Sequence, residues 1–323
     1  MQNKIKNYIE SFKNKKVLIV GDVMIDSYMW GNVTRISPEA PIPIVSITEK
    51  DYRLGGAANV ALNIAALGAK PYLCSVVGND NYAKIFENIL TKNNLCRDGI
   101  LLDNNRITTV KTRIISSQQH ILRVDEEIEN NINDTTSSKL LDTVKTIIKK
   151  HNIDIIIFED YDKGVLHKEI IEKIIDISKE NNILTSVDPK KKNFNFYKNV
   201  DLFKPNFKEF SEGLKIDINK NEIEKLKEHA IQYLSSNNIS RLMITLSENG
   251  IFISNTQEHV HLPAQIRNIA DVSGAGDTVI SIASLLMTSH ADLKEICQIS
   301  NIAAGIVCGK VGVVPVEAKE ICG

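Results

Sequence analysis

In "DVSGAGDTVIS", Asp271 to Ser281, two glycines precede an acid that opens an apolar helical pattern. Gly274 and Gly276 let backbone N–H groups converge where a helix begins, and the helix dipole adds positive potential at the same point. Such a start holds an anion. Asp277 follows directly and is placed to accept a proton from a hydroxyl, a role worth roughly 10² to 10⁴ in rate. The two together suit phosphoryl transfer, in which spread negative charge is held while the nucleophile gives up its proton. A helix cap would account for the acid and leave the two glycines unexplained.

A second stretch, "RLGGAANVALNIAALGA", sets Gly55 and Gly56 before a helix whose early residues are small and include Asn59. Backbone can approach a ligand closely there, and the Asn amide offers both a donor and an acceptor, which suits a polyhydroxylated molecule. Packing that demands small residues would also produce this pattern. Further polar residues follow short β-branched runs: Asp22 and Asp26 in "GDVMID", Asp160, Lys163 and Gly164 in "EDYDKG", Asp188 and Lys190 in "DPKKKN", Asn206 and Glu209 in "KPNFKE". Each alone reads equally well as a turn or cap; their shared place after strands is the informative feature, since open α/β sheets bind ligands at the carboxyl ends of their strands.

Other chemistries find no support. No G-x-G-x-x-G follows a strand and no G-x-x-x-x-G-K-[ST] occurs, so the dinucleotide and Walker fingerprints are absent. The seven histidines form no H-x-x-x-H or H-E-x-x-H pattern and no cysteine joins them at ligand spacing, so no transition-metal site is assigned. His259 and His261 alternate on a strand-like run and are expected to face solvent. Five widely spaced cysteines without a C-x-x-C pair fit reduced, mostly buried thiols and a cytoplasmic protein. Thirty-nine basic against forty acidic residues leave a formal charge of −1, which removes the electrostatic case for nucleic acid or a membrane surface. The lysine-rich amphipathic start is neither a secretion signal nor a span, and no segment reaches about 18 consecutive apolar residues.

The elements that must position these residues alternate. Strands are expected at 16–22, 154–160, 182–189, 201–206 and 241–247, and helices at about 56–67, 80–93, 135–150, 166–180, 219–236, 276–289 and 292–309. That rhythm predicts an α/β fold: a mostly parallel, doubly wound sheet with helices on both faces. Two strand-like regions, about 40–48 and 106–124, lack intervening helices, and the second reads as a hairpin turning at "SSQQ". They predict a small antiparallel lid on a single domain covering 1–323, and exposed lid strands predict a homodimer through it.

"GGAANVALNIAALGA" and "DVSGAGDTVIS" resemble the two signatures of the ribokinase-like (PfkB) carbohydrate kinases. "GDVMIDSYMWGNVTRISPEAPIPIV", "EDYDKG", "DPK", "PNFKE", "TLSENG" and "NIAAGIVCGKVG" together resemble, from about residue 15 to 315, the D-glycero-β-D-manno-heptose 7-phosphate kinases of ADP-heptose synthesis. The resemblance implies transfer from ATP to the anomeric hydroxyl of heptose 7-phosphate, with Mg²⁺ and, in some members, a monovalent cation. It implies that Asp277 is the base and that the amides of Gly274, Ala275 and Gly276 form the anion hole. Asn206 lies near the nucleotide phosphates in this reading, and Glu209 organises the magnesium and its waters. Thr245, Ser247, Gly250 and Asn301 line the nucleotide pocket, with Lys190 facing a phosphate. Asp22, Asp26, Gly55, Gly56 and Asn59 belong to the sugar. Its own phosphate needs cations, for which Arg123 and Lys163 lead, followed by Arg113, Lys111, Arg53 and Arg35. Enzymes of this kind are often fused to a nucleotidyltransferase domain, and the chain ends at Gly323 without one, so a separate adenylyltransferase is expected. A kinase of another sugar, and a non-catalytic sugar or nucleotide sensor, are the alternatives; an intact base and N-x-x-E pattern argue against the sensor.

Overall fold

The computed structural model describes residues 2–117, 119–264 and 270–322. The chain opens with α1 (Gln2–Phe12), β1 (Lys16–Gly21), β2 (Val23–Ile36), β3 (Pro43–Gly56), α2 (Ala57–Ala66), β4 (Lys70–Gly78) and α3 (Asn81–Lys92). It continues through β5 (Ile100–Asp103), β6 (Val110–Ser116), β7 (Gln119–Glu126), α4 (Asp134–Lys150), β8 (Ile155–Glu159), α5 (Lys168–Glu180), β9 (Leu184–Asp188) and β10 (Leu202–Phe203). The last part holds α6 (Phe207–Leu214), α7 (Ile223–Asn237), β11 (Arg241–Thr245), β12 (Ile251–Ser254), β13 (His259–Leu262), α8 (Ala275–Thr288), α9 (Leu293–Cys308) and α10 (Ala318–Cys322).

Nine strands form the main sheet in the order β13-β12-β11-β10-β9-β8-β1-β4-β5. The seven from β11 to β5 pair in parallel, and β12 and β13 extend the edge antiparallel. In β1 the side chains alternate between two cores: Val17 and Ile19 join α1, α2, α3, α8, α9 and α10 on one face, while Leu18 and Val20 join α4, α5, α6 and α7 on the other. A strand covered on both faces must be apolar at every position, which is why "KVLIV" carries no alternation. The expected doubly wound α/β architecture is present.

The lid is larger than its sequence pattern suggested. A second sheet of order β3-β2-β6-β7 joins two antiparallel pairs through a parallel pairing of β2 with β6. β2 was not among the expected strands, and β3 runs on to Gly56 rather than stopping near 48. "MIDSYMWGNVTRI" lacks a clean alternation because half of it is buried and its tip is exposed, so the period-2 signal changes along the strand. The hairpin between β6 and β7 turns at Ser117, whose φ of 50 is left-handed, within the "SSQQ" stretch expected to turn. Strand 201–206 shrinks to Leu202–Phe203. His259 stacks on Phe252 with ring centroids 5.8 Å apart and His261 shares a hydrogen bond of 2.9 Å with the Asn249 carbonyl, so both are half-buried rather than turned to solvent. Among the described residues no helix is long and apolar enough to cross a membrane.

Candidate active site

The carboxyl ends of β1, β8 and β9 and the start of α8 meet at one place. Where α3, α4, α6 and α9 are closed by a capping side chain, α8 begins at Gly274 with φ 79 and no side-chain cap. A Cβ at Gly274 would lie 3.0 Å from Asn59 Nδ2 in a backbone conformation unfavourable to other residues, so glycine is needed on both counts. Of the three amides expected to hold an anion, that of Ala275 leans on the Val272 carbonyl at 3.3 Å. Beside Gly276 stand the Asp188 carboxylate and the Lys204 ammonium, 3.6 and 3.7 Å from where its Cβ would be.

Asp277 does not cap the helix it opens. It is 5% exposed; Asn59 Nδ2 donates to its Oδ2 at 2.6 Å and the Tyr161 hydroxyl donates to its Oδ1 at 2.9 Å. Burial raises its pKa to about 6, with the Asp188 charge adding and the Asn59 and Tyr161 hydrogen bonds opposing. Such a carboxylate is ionised at neutral pH yet more basic than an exposed one, which is what a proton acceptor requires. Asn59 is itself positioned by helix α2, whose entry at Gly56 has φ 58 and brings the Ala57 amide within 3.0 Å of the Asp22 carbonyl.

Glu159 and Asp188 complete the cluster. With Asp277 they offer carboxylate oxygens all within 4.8 Å of one another. Glu159 is fully buried, and among the described residues neither of its oxygens has a hydrogen-bond partner. Burial first, then Asp188 and Asp277, push its pKa well above the usual range. Asp188 is held by Lys204 at 2.8 Å. An orphaned buried carboxyl between two acids is the donor set a hard divalent cation takes, so these residues fit one.

Several expected site residues are placed otherwise. Asp22 accepts from the backbone amides of Tyr161 and Lys163 (2.9 and 3.0 Å) with one oxygen and from Val165 (3.0 Å) with the other. Its carboxylate therefore shapes the loop carrying Tyr161 and is not open to a sugar. Lys163 is paired with Glu127 (2.8 Å) and Glu129 (3.1 Å), and Arg123 is largely exposed and bonded to Asp125 at 3.0 Å. Glu209 is engaged by Lys190 and, through Oε2, by the Asn206 amide at 2.8 Å. Asn206 returns the bond to the Glu209 amide at 2.8 Å, so N-x-x-E is a capping box for α6 in addition to any ligand role. Thr245 bridges to Asn206. Asn301 donates to the Pro263 carbonyl at 2.7 Å, and Gly250 packs against the same 262–264 segment, while Ser247 is exposed at a left-handed turn. Asp26 pairs with Arg113, and Gly55 abuts its carboxylate.

Sequence reasoning missed Tyr161, Glu159 and Lys204. All three stand in stretches already marked, "EDYDKG" and "KPNFKE"; an acid ending the otherwise apolar strand "IIIFE" was the signal for Glu159.

A family profile described as pfkB family carbohydrate kinase matches residues 14–319. The chain belongs to that family. This pfkB-family kinase is thus a phosphotransferase with an alcohol acceptor. It is 39% identical over 313 residues to the bifunctional protein HldE of Helicobacter pylori strain J99, covering 95% of this chain and 65% of that protein. It is 37% identical over 314 residues to HldE of Aliarcobacter butzleri, covering 96% and 64%. The chain therefore spans just under two thirds of these curated relatives. Among solved structures it is similar to phosphofructokinase-2 of Escherichia coli in complex with potassium (TM-score 0.78, 16% identity, 95% of this chain and 97% of that one). It is also similar to Arabidopsis thaliana ribokinase with ribose and ATP (TM-score 0.74, 16% identity, 95% and 97%). These likenesses establish the ribokinase-like fold of the kinase.

Proposed function

We propose that this kinase transfers the γ-phosphoryl of ATP to the anomeric hydroxyl of D-glycero-D-manno-heptose 7-phosphate, giving the 1,7-bisphosphate. The observation that carries the chemistry is the buried Asp277 carboxylate at the uncapped mouth of α8, held by Asn59 and Tyr161. The identity to HldE proteins over 95% of the chain supports the sugar. Asp277 takes the hydroxyl proton as the bond to phosphorus forms, and the ADP oxygen leaves with the electron pair. The amides of Gly274 and Gly276 face the migrating group. Glu159 and Asp188 would hold a Mg²⁺, which would supply charge neutralisation at the phosphates. Asn59 and Tyr161 fix the carboxylate's orientation, and Lys190 and Lys204 add positive potential beside it. Lys190, Asn206, Thr245, Ser247, Gly250 and Asn301 line the nucleotide side, and Asp26, Gly55, Gly56 and Asn59 the sugar side.

An adenylyltransferase activity, on this protein or another, would consume the product after removal of one phosphate. The exposed apolar residues of the lid, Val33, Ile36, Ile47, Leu122 and Val124 among them, support a homodimer through this sheet. Light scattering at micromolar concentration checks it, and a monomer removes it. The function is tested by coupled ADP release over heptose 7-phosphate, fructose phosphates, ribose and nucleosides, with Mg²⁺ and with or without K⁺. Turnover of heptose 7-phosphate at least roughly tenfold more efficient than of the others is expected. Preference for another sugar overturns the substrate, and ATP binding without any turnover overturns the kinase reading.

A further inference from the structure

Six cations near the lid were candidates for holding the sugar's own phosphate, and the structure separates them. Lys163 is saturated by Glu127 and Glu129, and Lys111 by Asp125 (3.2 Å) and Glu127 (3.0 Å). Arg123 lies with Asp125 on the outermost strand, and Arg35 is exposed near the far tip of β2. Arg53 and Arg113 remain, and they converge. Their guanidinium carbons stand 4.7 and 5.3 Å from the centroid of one ring, Tyr28.

Register explains the convergence. Asp26 pairs across to Arg53 in β3 and to Lys111 in β6, so Asp26, Tyr28, Arg53 and, two residues past Lys111, Arg113 share one face of the lid. That face looks at the body: a Cβ on Gly312 would come within 2.4 Å of Arg53 Nη1 and 3.5 Å of the Tyr28 hydroxyl. Gly312 is tied by its amide to Asp271 (3.0 Å), the first residue of the segment that leads to Gly274 and Asp277. The acids nearby are already committed. Asp51 accepts from Arg53 Nε at 2.8 Å, Asp26 from Arg113 Nη1, and Asp271 from the amides of Ser273 (2.9 Å) and Gly312. Among the described residues the two terminal nitrogens of Arg53 and Nη2 of Arg113 have no acceptor. Two guanidinium groups with open edges beside one aromatic ring offer paired donors to a tetrahedral dianion.

We propose that Arg53 and Arg113 form the subsite for a phosphate monoester at the distal end of the sugar, with Asp26 and Asp51 orienting the two guanidinium groups. This deepens the heptose 7-phosphate reading and rests on it for the identity of the sugar, but the clamp itself requires only a phosphorylated substrate.

The test measures KM and kcat of wild type, Arg53→Ala and Arg53→Lys with heptose 7-phosphate and with unphosphorylated heptose. Arg53→Ala should raise KM for the phosphorylated sugar roughly 10- to 100-fold, the scale of a lost hydrogen bond to a charged group, and leave kcat within about threefold. KM for heptose and for ATP should not move, and Arg53→Lys should recover part of the loss. Equal effects on both sugars, or an unchanged KM for the phosphorylated one, overturn the clamp while leaving the substrate assignment standing. Should wild type turn over neither sugar, the single tryptophan, Trp30, serves as the reporter, because its ring stacks on Tyr28 at 5.6 Å. Inorganic phosphate that changes Trp30 fluorescence in wild type and not in Arg53→Ala keeps the clamp as the heptose reading falls; an identical response, or none in either, overturns both. Matching melting curves and matching ATP affinity establish that the variants are folded.

Discussion

The body of the kinase and its lid treat charge in opposite ways. At the ends of β8 and β9 and the start of α8, three acids lie together, buried, with Lys204 on Asp188 and no partner at all for Glu159 among the described residues. On the lid the less exposed charges are matched within the sheet or beside it: Asp26 with Arg113, Lys111 with Asp125 and Glu127, Lys163 with Glu127 and Glu129. Burying unmatched charge is costly, and a fold retains such a cluster where the charge is completed by what binds. The body buries acids with few partners, whereas the lid pairs Asp26, Lys111 and Arg53 with opposite charges.

The largest effect that would break this contrast comes from Asp277→Asn. Turnover should fall by roughly 10² to 10⁴, measured by ADP release at saturating substrate. Stability should move the other way. The folded pKa of Asp277, about 6, lies above the ordinary 3.8, so the stabilising contribution is complete below about pH 4 and is lost as pH rises through 6. Asparagine removes that loss. At pH 7.5 the variant should melt a few degrees higher than wild type, and at pH 4 the difference should vanish. A variant that loses activity and is also less stable at pH 7.5 would make Asp277 a structural acid instead. In wild type, kcat/KM should decline below about pH 6 as the base takes up a proton.

A smaller effect sharpens the role of the orphaned acid. Glu159→Gln keeps the shape and removes the charge. Because burial and the neighbouring acids raise the folded pKa of Glu159 far above its unfolded value, its contribution to stability is present at low pH and is lost as pH rises through the folded value. The metal-free variant should therefore be more stable than wild type at pH 8 and alike at pH 4 in a thermal melt. Its Mg²⁺ requirement should rise roughly tenfold, since one hard oxygen ligand has lost its charge. An unaltered Mg²⁺ dependence would place the divalent ion away from Glu159.

The sheet, its helices and the two glycine-led helix starts were legible because their signals are local. A strand buried on both faces is continuously apolar, and a glycine pair ahead of a helix marks a place where backbone must come close to something. Asp277 and Asn59 were legible for that reason, and their contact across 218 positions brings both starts to one place. Partners of charges were not legible. Nothing local distinguishes Asp22, whose oxygens hold three backbone amides, from Asp26, whose carboxylate pairs with an arginine 87 residues away. The same limit hid β2, whose neighbours in the lid come from later in the chain, and ranked Arg123 and Lys163 ahead of Arg53 although both are already paired with acids.

Arg123 against Lys163 supplies the finest test of the lid as a self-neutralised sheet. Arg123 is 59% exposed on its side chain and shares Asp125 with Lys111, so an ion pair of this kind contributes at most about 1 kcal/mol. Arg123→Ala should leave kcat and KM for sugar and ATP within about twofold and the melting temperature within about a degree. Lys163 is 10% exposed on its side chain, and its loss leaves Glu127 and Glu129 facing each other with one fewer cation. Lys163→Ala should lower the melting temperature by several degrees, while the backbone amide that holds Asp22 is retained, so kcat should stay within a few-fold. A marked rise in KM for the phosphorylated sugar in Arg123→Ala would mean that the outer strand folds over the substrate, and the phosphate would then belong to β7 rather than to the Tyr28 face.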